Sequence, residues 1–123
     1  MANNPVCWFE IYVQDMPRAR AFYEAVLAVK LEQINTANPE LWKFPDDRDG
    51  YGSGGALARM EGVPSGGMGT VVYFACKDCS VEAGRVVDAG GRIMKEKFSI
   101  GEYGFIALAY DPDGNLFGLY SMA

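Results

Sequence analysis

Two segments of this chain repeat one order of elements: an apolar strand, an aspartate, then a helix. The first is VCWFEIYVQDMPRARAFYEAVL, residues 6–27, and the second opens TVVYFACKD, residues 70–78. Asp15 and Asp78 hold equivalent places 63 positions apart. Each is an N-cap candidate, because a short carboxylate accepts hydrogen bonds from the free N–H groups of a helix's first turn. Pro17 fits the first turn, where its missing N–H costs nothing. Ala19, Phe22, Tyr23, Val26 and Leu27 then recur at helical spacing and make one apolar stripe. The second helix is expected to run to about Ala89 and to stop at Gly90-Gly91, a left-handed C-terminal cap.

Three strand-like runs follow each helix. In the first half they are LEQI (31–34), ELWKF (40–44) and GALARM (55–60); in the second, RIMKE (92–96), FIALAY (105–110) and LFGLY (116–120). DPDGN (111–115) joins the last two as a turn. PDDRDGYGSGG (45–55) reads as an irregular loop and EGVPSGGMG (61–69) as a linker. An internal duplication explains the pattern. With 123 residues the chain is one domain, 1–123, made of two modules at about 5–61 and 69–121.

Strand alternation sorts the first run, 6–13. Cys7, Phe9, Ile11 and Val13 share one face and meet the helix; Trp8, Glu10 and Tyr12 share the other. Glu10 is the anomaly, a carboxylate between Phe9 and Ile11 in an otherwise apolar run. A buried, unpaired carboxylate costs several kcal/mol or shifts its pKa upward. Glu10 therefore requires a partner: Arg59, Lys43, a tyrosine hydroxyl, water or a ligand.

Composition excludes several kinds of chemistry. The chain has no histidine, which rules out His-based triads, imidazole shuttles and metal sites with nitrogen ligands. Its net charge of −5 includes no basic stripe, so nucleic-acid binding is not expected. No apolar run reaches membrane-spanning length. MANNPV lacks the pattern of a signal peptide, and a cytoplasmic location is expected. Three cysteines argue against a disulfide framework. Cys76-Lys77-Asp78-Cys79 has redox-pair spacing, but Cys76 alternates onto the helix-facing side, where a cysteine is an ordinary core residue. The glycine-rich stretches 50–55 and 62–69 lack the helix and Lys-Ser/Thr of a phosphate loop and read as flexible, possible lids over a site.

DMPRARAFYEAVL, VVYFACKD with its helix ending in AGG, and FIALAYDPDGNLFGLYS together resemble the vicinal oxygen chelate superfamily of glyoxalases, extradiol dioxygenases and bleomycin-resistance proteins. The resemblance spans nearly the whole chain. It implies an α+β fold of two βαβββ modules whose mixed sheets curve into a cup, with the helices outside, and commonly a homodimer. Trp8, Glu10, Tyr12, Val71, Tyr73, Ala75, Leu116, Gly118 and Tyr120 would face the cup. Metal-dependent members place His or Glu on the first and fourth strands of each module. The matching positions here are Trp8, about Val71, Gly118 and one within 55–58, none of which can coordinate. Glu10 alone cannot supply the three or four ligands a transition metal needs. No metal and no other cofactor are expected.

Trp8, Tyr12 and Tyr73 point the same way as Glu10, with Trp42 and Tyr51 near the expected rim. Aromatic walls around one carboxylate suit a small organic ligand, flat or cationic. The same rings could instead fill a closed cup. The carboxylate favours the open reading: a metal-free small-molecule binding protein of the glyoxalase and bleomycin-resistance type, with ligand contacts at Trp8, Glu10, Tyr12, Trp42, Tyr51 and Tyr73. The alternative is a glyoxalase-like lyase or isomerase with Glu10 as general base.

Overall fold

In a computed structural model the described residues are 6–47 and 49–123. Residues 1–5, which hold the expected start of the first module and most of MANNPV, and Arg48 of the 45–55 loop lie outside them. The elements run β1 (Trp8–Tyr12), α1 (Met16–Leu27), β2 (Glu32–Asn35), β3 (Glu40–Lys43) and β4 (Gly54–Arg59), then β5 (Gly67–Ala75), α2 (Cys79–Ala83), β6 (Arg92–Ser99), a short 3-10 turn (Gly101–Tyr103), β7 (Phe105–Tyr110) and β8 (Asn115–Ser121). The order β1-β4-β3-β2 in one four-stranded sheet is repeated as β5-β8-β7-β6 in the other. In each, the first strand pairs in parallel with the last and the other pairings are antiparallel. The two halves are thus the same βαβββ module twice, an α+β architecture.

Both expected N-caps form. Asp15 accepts from Arg18 N at 3.1 Å and Asp78 from Ser80 N at 3.0 Å. The second helix is shorter than its sequence pattern: α2 is five residues and caps at Gly84. Beyond it, Arg85, Val86 and Gly90 bond to carbonyls only three residues back, so the chain winds in tight turns. It stops at Gly90, whose φ of +104° suits glycine, with Gly91 N reaching Val86 O. The stretch 61–69 is not wholly a linker either. β5 starts at Gly67, which pairs with Asn115 before an irregularity lets Val72 pair with Phe117. β6 continues to Ser99, three residues beyond the expected run.

One core serves both modules because α1 straddles them. Tyr23 packs edge-on to Phe44 of the first module at 5.7 Å and contacts Phe74 and Phe117 of the second at 5.9 and 5.5 Å. Phe22 meets Phe117 edge-on at 5.8 Å. Such ring pairs add about 0.5–1.5 kcal/mol each beyond their buried area. Polar contacts reinforce the joint through the DPDGN turn. Gln14 N and Arg18 Nη2 both donate to Asp113 Oδ1, at 3.0 and 2.7 Å, and Asn115 Nδ2 donates to Tyr12 O at 3.0 Å. No helix among the described residues is long and apolar enough to cross a membrane.

Candidate functional site

The alternation of β1 holds along its ordered length. Ile11 and Val13 are buried and Phe9 packs on Phe44 and Phe74, while Trp8 and Glu10 are exposed and Tyr12 half-buried on the other face. Cys7 departs from the expectation. It precedes the strand and is exposed, so it does not join the helix-facing row.

Glu10 finds its partners in its own strand. Trp8 Nε1 donates to Glu10 Oε2 and the Tyr12 hydroxyl donates to Glu10 Oε1, each at 3.2 Å. Side chains two apart stand side by side on one face, so the row WxExY can form this arrangement locally. Across the sheet Trp8, Glu10 and Tyr12 register with Gly54, Ala56 and Ala58, whose small side chains leave the row uncovered. The Tyr12 phenol is pushed above its ordinary value by lost solvation, by the charge of Glu10 and by the hydrogen bond to it. The other suggested partners are engaged elsewhere: Lys43 Nζ lies 3.0 Å from Asp46, and Arg59 Nε donates to Gln14 O at 3.1 Å.

Glu10 and Tyr12 form one wall of a cavity of about 360 Å³ between the modules. It is closed by Ser65 and Gly66 from the glycine-rich stretch and, in the second module, by Thr70 of β5 and Asn115 and Leu116 of β8. Asn115 and Thr70 were not anticipated as lining residues. Nothing local points to them, since they reach the cavity only when β5 and β8 pack beside β1.

Tyr73 and Tyr51 line a different hollow. It measures about 510 Å³ and is completed by Ala75, Ile100, Ile106 and Tyr120, with no charged side chain among the described residues. Tyr120 and Ala75 follow from strand alternation, and the same alternation in FIALAY identifies Ile106. Trp42 belongs to neither cavity. Its ring lies under the Arg20 guanidinium of α1 at 3.5 Å and its Nε1 donates to Glu40 at 3.0 Å. It packs against the core beside Phe44, which follows β3 two residues along on the same side, so the expected rim position is replaced by one beneath the helix.

The residues do not fit the metal that the resemblance brings with it. Trp8, Val71, Gly118 and the 55–58 segment supply no donor, and no group of three or more His, Cys, Asp or Glu that could hold a metal exists among the described residues. Gly118 is also covered. The ring of Tyr73, its partner across the parallel pairing, lies so close that even a Cβ there would overlap it.

The cysteine pair is built into the fold. Cys79 is fully buried at the start of α2, its N–H donating to Ser121 Oγ at 3.0 Å. Burial, then the neighbouring Glu82, pushes the Cys76 thiol up to about 12. A thiol held protonated is a poor nucleophile.

Residues 6–119 match the family model described as Glyoxalase/Bleomycin resistance protein/Dioxygenase superfamily. The chain is 29% identical over 121 residues to CFP32 of Mycobacterium bovis, a protein named as a glyoxylase, and to its Mycobacterium tuberculosis counterpart. These alignments take in 98% of this chain and 45% of each relative, so the chain spans about half the length of the curated relatives it matches. Among solved structures, glyoxalase I from Zea mays superimposes with a TM-score of 0.74 at 23% identity, over 94% of this chain and 44% of that one. A glyoxalase/bleomycin resistance protein from Albidiferax ferrireducens T118 gives 0.73 at 19% identity, over 96% and 99%. At such identities the structural likeness establishes the fold alone.

Proposed function

Since this chain belongs to the Glyoxalase/Bleomycin resistance protein/Dioxygenase superfamily, we propose that it is a metal-free small-molecule binding protein whose ligand lies against the aromatic faces of the two sheets. The observation that carries this reading is the exposure of those rings. Trp8 keeps 38% of its surface accessible beside a hollow of about 370 Å³, and Tyr73 and Tyr51 keep 48% and 94% beside one of about 510 Å³. Covering apolar surface is favourable by about 25 cal/mol per Å², so a flat organic molecule gains from settling there. Trp8, Glu10, Tyr12, Tyr51 and Tyr73 are the proposed contacts; Trp42, under Arg20, is not among them. A homodimer in the cytoplasm belongs to the same proposal, and sedimentation velocity checks the dimer.

The test is fluorescence titration with N-phenyl-1-naphthylamine, an uncharged aromatic probe. Saturable enhancement that weakens several-fold in Tyr73→Ser and Tyr51→Ser supports the reading. No enhancement, or enhancement indifferent to both substitutions, refutes it. Turnover of a 2-oxoaldehyde hemithioacetal that disappears in Glu10→Gln would replace it by isomerase chemistry with Glu10 as general base.

A further inference from the structure

The proposed binding function leaves the class of ligand open, and the surroundings of Glu10 narrow it. Both carboxylate oxygens accept a hydrogen bond, but from an indole N–H and a phenol, which are neutral. Neutral donors fix the carboxylate in place without cancelling its charge. The ion pairs among the described residues are Arg18–Asp113, Arg20–Glu24, Lys43–Asp46 and Lys97–Asp78, and none involves Glu10. The cavity it lines is otherwise polar but uncharged where Ser65, Thr70 and Asn115 contribute, and among the described residues neither lysine nor arginine lines it. Asn115 is itself spent, its amide donating to Tyr12 O and to Asp111 Oδ2 at 3.0 and 2.9 Å. What remains is one oriented negative charge at the wall of a space of about 360 Å³, in a chain of net charge −5 that repels anions.

We infer that the cavity between the modules binds a small organic cation, an ammonium or amidinium group, received directly by the Glu10 carboxylate. The inference rests on the proposal that this face is a ligand site. Trp8 and Tyr12 act as positioning residues: by holding one oxygen each they orient the carboxylate toward the cavity, and each oxygen retains a lone pair for the incoming N–H. A charge-assisted bond of this kind separates a cation from a neutral molecule of like size by about tenfold in affinity. Because Glu10 is exposed, salt weakens the preference.

The experiment compares benzylamine, a cation at neutral pH, with benzyl alcohol, its neutral counterpart, by NMR titration of the full chain. Benzylamine is expected to bind about tenfold more tightly, moving amide resonances of residues 8–12 and 65–70, with the ratio shrinking at high salt. Glu10→Gln keeps a hydrogen-bonding group of the same outline and is expected to bring the two affinities together. Asp88→Asn, which removes one negative charge from an exposed position elsewhere, is expected to leave the ratio as it was. Equal binding of the two molecules, binding that Asp88→Asn reduces as much as Glu10→Gln does, or no shift of those amides overturns the inference. If the naphthylamine probe still binds in that case, the cation reading fails alone and the broader binding function stands; if neither probe binds, both fail.

Discussion

The hydroxyl of Tyr23 donates to Asp111 Oδ2 at 2.8 Å, tying the helix of the first module to the β7–β8 turn of the second. Asp111 is buried and receives three further hydrogen bonds, from Asp113 N, Asn115 N and Asn115 Nδ2, at 2.8–2.9 Å. Burial pushes its carboxyl up while these donors pull it down. DPDGN is therefore both a turn and the polar half of the joint between modules.

Tyr23→Phe removes one donor from a buried acceptor and is expected to cost about 1–3 kcal/mol in urea unfolding. The phenol is held well above its ordinary 10.0, by burial first and then by Asp111. A raised folded-state value stabilises below the unfolded pKa, and that contribution is lost as pH rises beyond it. Stability should thus decline above about pH 10, and less steeply in Tyr23→Phe. Identical alkaline limbs in the two proteins would show that Tyr23 is not held neutral.

Two glycines lie under aromatic rings on opposite faces of the sheets. A Cβ at Gly55 would overlap Phe9, whose ring is held by Phe44 and Phe74 at 5.7 and 6.1 Å. One at Gly118 would overlap Tyr73, which is 48% accessible and free to swing outward. Gly55→Ala is expected to lose about 2–3 kcal/mol of stability, at the upper end for overpacking a core, and Gly118→Ala clearly less. Gly118→Ala should instead weaken naphthylamine binding, because Tyr73 is displaced. Chemical denaturation and fluorescence titration of both variants check the contrast.

Tyr12 reports on Glu10. With the charge removed in Glu10→Gln, the electrostatic cause that raises the Tyr12 phenol disappears and the desolvation cause remains. Its titration midpoint should move down toward, but not reach, the ordinary tyrosine value. Carbon-13 NMR of labelled tyrosine, assigned with Tyr12→Phe, measures the midpoint. An unmoved midpoint means that the side-chain pair does not form in solution.

The cysteines should differ in reactivity. Cys7 is exposed, whereas Cys79 is fully buried and the Cys76 thiol lies near 12. A disulfide reagent at neutral pH should titrate one thiol rapidly in the native protein and three in denaturant. Joint, rapid loss of Cys76 and Cys79 would instead restore the redox reading of the CxxC.

What could be read without coordinates was whatever depends on near neighbours. The caps at Asp15 and Asp78 form because a carboxylate needs only the next few N–H groups. The Trp8–Glu10–Tyr12 row follows from strand alternation, which also supplies both partners of the carboxylate. Trp42 lies beneath the helix and not at the cup rim, and a local clue exists, since the buried Phe44 follows two residues along on the same side of the chain. The length of α2 was overestimated because an apolar stripe does not distinguish a helix from successive tight turns ending at Gly90.

By itself the sequence determined the repeated module, the βαβββ order and the face on which Glu10 stands, since these are set by periodicities of two and of 3.6 and by residues a few positions apart. The distribution of the aromatic residues among separate hollows was decided only by tertiary structure. Tyr51 lines one hollow with Tyr73, and Glu10 lines another with Thr70 and Asn115, across chain separations that no periodicity spans. The same holds for the charge at Glu10. Lys43 and Arg59 were within its possible reach until packing engaged them with Asp46 and with the carbonyl of Gln14. The fold brings the carboxylate to the cavity and takes the competing cations away, because each side chain can satisfy only the partners that packing sets beside it.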